Sequence, residues 1–228
     1  ITWTLFGTTS ASPIYRSFSD DHGLTWSAAA PIHSTATSAQ GSQPVFLPDR
    51  KVAIVYWNFA ATAQEEIDVV LSSDGGATFG APTRVTTVAR YDQPSIRNGV
   101  FLPSATTAHE TGAIEVVYQG VDSLGAPRIF FTKSKNDGAT WSAPIAITDN
   151  PGTGVFNPAI AASPDGTRLT ASFYDQRDSG GNTTLFNPYP ASSLPCGCQR
   201  PTPPRTPTTP ARPPHPPHTH PCHPPPPP

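Results

Sequence analysis

Two aspartates and one asparagine recur in the same eight-residue setting, and chemistry would first be sought there. Asp21 lies in Ser19-Asp20-Asp21-His22-Gly23-Leu24-Thr25-Trp26, and Asp74 in Ser72-Ser73-Asp74-Gly75-Gly76-Ala77-Thr78-Phe79. Asn136 lies in Ser134-Lys135-Asn136-Asp137-Gly138-Ala139-Thr140-Trp141. Repeated carboxylates could serve as general acids or bases, or bind calcium. Asn136 argues against both: proton transfer would not survive an exchange to an amide, whereas a turn hydrogen bond would. The pattern Ser-x-Asp/Asn-x-Gly-x-Thr-aromatic reads as a tight turn between strands. Its third side chain accepts hydrogen bonds from backbone N–H groups of the same turn. Gly23, Gly76 or Gly138 permits positive φ, and Thr25, Thr78 or Thr140 re-enters a strand. The aromatic residue (Trp26, Phe79 or Trp141) is expected to face inward, where burial of about 150–250 Å² is available to it.

The elements around these turns repeat with them. The shared Asp/Asn positions are 53 and then 62 residues apart, a period that belongs to solenoids and propellers. Residues 43–46, 93–96 and 157–160 read as first strands of successive copies, and 52–57, 114–118 and 169–174 as second strands. Residues 67–71 and 128–132 read as third strands, with 182–187 starting another, and 81–85 and 143–147 as fourth strands. These are short β-branched and aromatic runs bounded by Gly, Pro, Asp and Ser, and no stretch keeps a helical period. The expected fold is all-β: a β-propeller of four-stranded antiparallel blades. Residues 1–32 would supply the end of one blade, 43–86 and 93–148 two whole blades, and 157–187 the start of another. That is about three blades' worth, against roughly four to eight in closed propellers. The expectation is therefore an incomplete ring, its remaining blades missing or supplied by another chain.

The repeated turn resembles the Asp box, or bacterial neuraminidase repeat, of sialidase-like propellers, over about residues 1–187. The resemblance implies a secreted or cell-surface propeller in which Ser19, Asp21, Ser72, Asp74, Ser134, Asn136 and their turn partners are structural. In that family three arginines grip a substrate carboxylate, whose planar shape a guanidinium fork matches. A tyrosine activated by a glutamate is the nucleophile, and an aspartate handles acid–base work. The family's first arginine sits in a Phe/Tyr-Arg-Ile-Pro segment. Here Tyr15-Arg16-Ser17-Phe18 lacks the Ile-Pro and falls on a third strand. Arg97 and Arg177 are of the right type for such a triad, but no complete set matches. Tyr174 ends a strand as Tyr56 and Tyr118 do, so it reads as a repeated structural aromatic.

Antiparallel blades place the Asp-box turns and first–second turns on one face, and the second–third loops and blade connections on the other. Ligands of propellers commonly bind on the latter. Its best polar candidates are Arg90, Tyr91, Asp92, Asp175 and Arg177, set against the plainer reading of surface ion pairs worth about 0–1 kcal/mol each. Two functions stay open: a non-catalytic glycan- or protein-binding scaffold, and a fragment of an exo-α-sialidase with essential residues elsewhere. Neither reading calls for a cofactor or metal.

Composition divides the chain near Pro188. All 16 acidic residues lie at or before Asp178 together with 11 of the 14 Lys/Arg, so this part is mildly acidic and gives nucleic-acid binding no support. No apolar run reaches membrane-spanning length, and neither a signal peptide nor any Met is present. From Pro201 to Pro228, 15 of 28 residues are proline, a composition that cannot bury a core. Residues 188–228 are accordingly expected to be a disordered Pro/His-rich tail. It would be a matrix-spanning linker, a metal-binding tail through His215, His218, His220, Cys222 and His223, or an out-of-frame reading of GC-rich DNA. The last is favoured, because an Asp-box turn is due soon after Asn187 and does not come. The three cysteines, Cys196, Cys198 and Cys222, lie in that tail and leave the blades without disulfides.

Overall fold

The computed structural model describes residues 1–7, 11–33, 38–59, 64–93, 95–97, 99–108, 110–149 and 152–193, with the backbone alone of 199–201. Among these residues the chain is all-β, with four antiparallel sheets and no helix. The first sheet has three strands, β1 (Thr2–Thr4), β2 (Ile14–Arg16) and β3 (Ala30–Pro31). The second has four: β4 (Ala39–Phe46), β5 (Val52–Asn58), β6 (Glu65–Ser72) and β7 (Thr83–Val88). The third comprises β8 (Ser104–Ala108), β9 (Ala113–Val121), β10 (Pro127–Ser134) and β11 (Ile145–Ala146). The fourth comprises β12 (Val155–Ala162), β13 (Leu169–Asp175), β14 (Asn187–Ser193) and β15 (Gln199–Pro201). Each sheet is a blade, and strands within it neighbour one another in chain order.

β5 and the first part of β9 are nearly continuous apolar runs because both of their faces are covered. On β5, Ala53, Val55 and Trp57 pack with Ile114, Val116 and Tyr118 of the third blade. Val52, Ile54 and Tyr56 point the other way, toward Ile14 and Ile32 of the first. Val117 of β9 meets Ala171, Phe173 and Tyr189 of the fourth blade. Fully burying such side chains is worth about 1.5–3 kcal/mol each, so the blade junctions, rather than the hairpins alone, hold the array together.

Glu115 breaks this pattern. It shares the β9 face of Val117, is 5% exposed, and leaves Oε2 without a hydrogen-bond partner. Burial pushes its carboxyl up to about 7 against the pull of Lys133, which lies opposite on β10. The raised value means that the stability it contributes is complete below pH 4.5 and is lost as pH rises through about 7. Glu115→Gln is expected to flatten that loss and to exceed the natural chain in stability above pH 7; urea unfolding across this range measures it.

The three repeated turns are closed by the same local bonds. Ser19 Oγ donates to Asp21 Oδ1 (2.7 Å) and accepts from Gly23 N (2.8 Å), while Thr25 N and Oγ1 donate to the two carboxylate oxygens (2.8 and 2.6 Å). Ser72, Asp74, Gly76 and Thr78 repeat the set. At the third turn Thr140 N donates to Asn136 Oδ1 (2.9 Å), but the last bond is reversed, Asn136 Nδ2 donating to Thr140 Oγ1 (2.9 Å). The hydroxyl can take either role, which is why the amide is tolerated. The bonds from Thr25 hold the Asp21 carboxyl down at about 2, and those from Thr78 lower Asp74 further. A depressed value gives stability that is present above the ordinary carboxylate pKa and disappears as pH falls through the folded one. Asp74→Asn is therefore expected to blunt acid unfolding and to give up at neutral pH the share of stability that depends on the charge, which an acid titration followed by circular dichroism tests.

Four sequence expectations need correction. Gln93-Pro94-Ser95-Ile96 does not start the third blade: Ile96 and Arg97 N–H groups both close onto the Gln93 carbonyl at 2.9 Å, and the strand begins at Ser104. The third strand of the fourth blade is not 182–187 but β14, and it crosses the compositional boundary at Pro188 to reach Ser193. Beyond it, the tail falls outside the described residues except for the backbone of 199–201. Trp26 is 50% exposed rather than inward. Phe79 and Trp141 each pack into the junction with the preceding blade, and among the described residues no blade precedes the first. Finally, Val52 pairs with Ser72 and Ile114 with Ser134, a register that aligns Tyr56 and Tyr118 with Phe173. Tyr174 turns to the other face, against Phe156 and Phe186 at ring distances of 5.8 and 4.8 Å.

Candidate functional site

Strand alternation delivers Arg90, Tyr91, Asp92, Asp175 and Arg177 to the end of the blades opposite the Asp-box turns, where β5, β9 and β13 finish and β6, β10 and β14 begin. The structure gathers them into two groups with an amide bridge nearby. In the first, Arg90, just past β7, reaches Glu65 Oε1 at 3.0 Å and grips Asp92 with Nε at 2.9 and 3.1 Å. The other oxygen of Glu65 accepts the Trp57 indole N–H at 3.0 Å, which anchors this cation to a fully buried ring. Both Arg90 and Asp92 remain largely open to solvent.

The second group is deeper. Asp175, at the end of β13, is 0% exposed and accepts from Arg177 N (2.8 Å), Nε (2.8 Å) and Nη2 (2.6 Å). Thr153 Oγ1 adds a bond at 3.2 Å. The same Nη2 reaches Asp149 at 2.8 Å, and the guanidinium lies 4.4 Å from the Tyr189 ring centroid. Tyr189 donates to Asp178, which also takes Asn187 Nδ2 at 3.3 Å. A phenol beside a carboxylate has the composition of an activated nucleophile, yet burial first and Asp178 second push Tyr189 up to about 12. At 3% exposure it is held as a protonated core residue and no substrate atom can reach it.

Between the groups lies the bridge. Gln93 Nε2 donates to Gln176 Oε1 at 2.8 Å, Tyr91 OH donates to Gln93 Oε1, and Gln119 Nε2 donates to the Tyr91 carbonyl at 2.7 Å. Ser95 Oγ ties the turn after Gln93 to the Thr183 carbonyl at 2.7 Å. Gly154 leaves room for the bridge: a Cβ on it would stand 2.3 Å from Gln176 Oε1 and 2.9 Å from both Gln93 Oε1 and Tyr91 OH, so these side-chain ends would have to shift.

Sequence reasoning placed Gln93, Gln119, Gln176 and Asp149 in the loops of this face without giving them a role, and it missed Tyr189 and Glu65. Glu65 carried no motif, and Tyr189 lay in a Pro-flanked stretch that read as the end of the fold. Arg16 lies on the Asp-box side instead. It donates to the Ala77 carbonyl and stacks 6.0 Å from Phe79, a strut between first and second blades rather than a ligand grip. Arg97 lies 5.6 Å from the Phe101 ring on an exposed turn and has no ion-pair partner among the described residues. The described residues contain no group of three or more His, Cys, Asp or Glu able to hold a metal, and no helix long and apolar enough to cross a membrane. The tail histidines and Cys222 lie outside the described residues.

No protein-family model matches the chain. Among curated proteins it is similar to a sialidase of Bacteroides fragilis strain YCH46, 31% identical over 114 residues that cover 42% of this chain and 21% of the relative. Among solved structures it superposes on the Hadza microbial sialidase Hz136 with a TM-score of 0.59 at 15% identity, over 88% of this chain and 43% of that one. An α-L-arabinanase of Penicillium chrysogenum, complexed with arabinobiose, gives 0.65 at 16% identity, over 88% and 62% respectively. The chain spans less than two thirds of each of these proteins, and at such identities the structural likeness is one of fold.

Proposed function

We propose that this chain, which has the sialidase-like β-propeller fold, is a secreted or cell-surface glycan-binding array that carries out no hydrolysis through its own described residues. One observation carries the reading: the guanidinium groups of Arg90 and Arg177 on the ligand face are already taken up by carboxylates. Arg90 is held by Glu65 and Asp92, and Arg177 by Asp175 and Asp149. A guanidinium already bonded to two carboxylates has fewer of its five N–H donors to offer a substrate carboxylate, and the carboxylates beside it repel such an anion. What the face offers instead is hydrogen-bonding side chains beside half-exposed aromatic rings, the combination that suits sugar hydroxyls and the apolar faces of pyranose rings. The solved neighbour complexed with arabinobiose supports a carbohydrate ligand over a protein one.

The second reading, a piece of an exo-α-sialidase, draws on the curated sialidase relative and on Arg97, whose cation is unpaired among the described residues. One experiment separates the two. The full chain is incubated with a 4-methylumbelliferyl sialoside and, in parallel, screened on immobilised oligosaccharides with and without sialic acid. The expected result is no fluorophore release together with saturable binding that does not depend on the sialic acid carboxylate. Release that disappears in Arg97→Ala would establish the sialidase reading, and absence of binding to every glycan would overturn both.

A further inference from the structure

The junction of the third and fourth blades holds a cleft of about 220 Å³ lined by Phe131, Ile145, Ile147, Ile160, Leu169 and Ala171, with the end of β14 along one side. Register identifies what belongs in it. Thr170 pairs with Ser192, and Leu169 N donates to Ser193 Oγ at 3.0 Å. Ser193 thus faces Leu169 as Ser72 faces Val52 and Ser134 faces Ile114. It stands where the Asp-box serines stand. Counting onward, Gly197 falls at the position of Gly76 and Gly138, but Pro195 replaces the Asp/Asn, Gln199 the Thr and Arg200 the aromatic.

The walls give the same answer. Ile32, Val85 and Ile147 each lie 13 residues beyond their turn serine. Ile32 shares its cluster with Phe79 and is 2% exposed, and Val85 shares its cluster with Trp141 and is 7% exposed. Ile147 lines the cleft and is only half-buried. Arg16, Val69 and Phe131 each lie three residues before the turn serine. Arg16 stacks on Phe79 and Val69 backs onto Gly138, whereas Phe131 borders the cleft. The cleft therefore corresponds to the space that Phe79 and Trp141 fill at the other two junctions; by sequence count an arginine replaces the aromatic residue, and β15 sets its backbone opposite Ser192, where Gly80 and Ser142 stand opposite Leu71 and Lys133.

We propose that this cleft is an aromatic socket that takes up a neutral planar ring of indole size from solution. Apolar cavities of about 150 Å³ lined by aliphatic and aromatic side chains already bind benzene. Ser193, on the cleft face of β14, carries a hydroxyl that can accept an indole N–H, as the Gly138 carbonyl accepts that of Trp141 at 3.0 Å.

The test titrates the full chain with indole by calorimetry and ligand-observed NMR, beside a variant that restores the repeat, Pro195→Asp/Gln199→Thr/Arg200→Trp. Saturable one-site binding to the natural chain, weakened at least tenfold in the variant because its own ring fills the socket, is the expected result. A second variant, Ala191→Phe, closes the cleft from β14 without touching residues 195–200 and is expected to lose binding equally, so the test stands if the first variant does not fold. Failure of the natural chain to bind, or unchanged binding in a folded variant, would overturn the proposal.

Discussion

Arg177→Ala is expected to lower the free energy of unfolding by about 3–5 kcal/mol, the cost of leaving a buried charge without its partner. Asp175 has no exposed surface and takes three hydrogen bonds from Arg177, two of them from the guanidinium. The substitution also strips the cation from the Tyr189 ring and from Asp149. Arg177→Lys is expected to recover little, because an ammonium cannot reproduce a planar fork across two nitrogens. Arg90→Ala is the control: its partner Asp92 is 44% exposed, and such pairs are worth about 0–1 kcal/mol. Urea unfolding of the three variants measures the order. If Arg177→Ala proves as mild as Arg90→Ala, the group around Asp175 is not what anchors the fourth blade. A loss of ligand binding in Arg177→Ala reports on folding first, which is why Arg97 serves as the functional probe.

Gly154→Ala is expected to cost about 1–2 kcal/mol, within the overpacking range for a single added methyl. The new Cβ crowds the Gln93–Gln176 bond, because both amide oxygens and the Tyr91 hydroxyl lie within 2.9 Å of it and must move. Moving any one of them leaves buried polar atoms unpaired. The turn after Gln93 and the loop before β14 are joined through this bridge. The variant is therefore expected to weaken glycan binding as well as stability, measured by the same urea curves and by titration with the best oligosaccharide from the screen.

What could be read in the sequence was local. The Asp-box turns are closed by bonds spanning two to four residues, so their geometry is written in eight consecutive letters. The apolar runs of β5 and β9 were legible for the same reason, since any strand covered on both faces must be apolar throughout. β14 was not legible: Pro188 and Pro190 argue against a strand, and only pairing with β13, with Tyr189 set 6.5 Å from the Phe173 ring, makes it one. Gln93-Pro94 matched Gln43-Pro44 by letter. The latter belongs to β4, at a register shift, whereas Gln93 is drawn into a turn by Gln176, 83 residues away. The candidate residues lie at one end of the blades. Glu65 was invisible because nothing in the spacing announces an ion pair made across a loop, and Tyr189 because it sits between two prolines.

The double covering of β5 has a further consequence. In an array where each unit touches only its neighbours, local stability adds over the junctions that a unit shares. The second blade shares two, one on each face of β5. The first blade shares one, and its other side presents Trp3, Tyr15 and Trp26. Opening that frees the first blade need break one junction, whereas releasing β5 requires breaking both. The third blade likewise shares two, one on each face of β9, so amide protons of β5 and β9 should be the last to exchange with deuterium, and those of β1 and β2 among the first. The chain would lose its order from its flanks toward β5 and β9, as a zipper opens, rather than all at once.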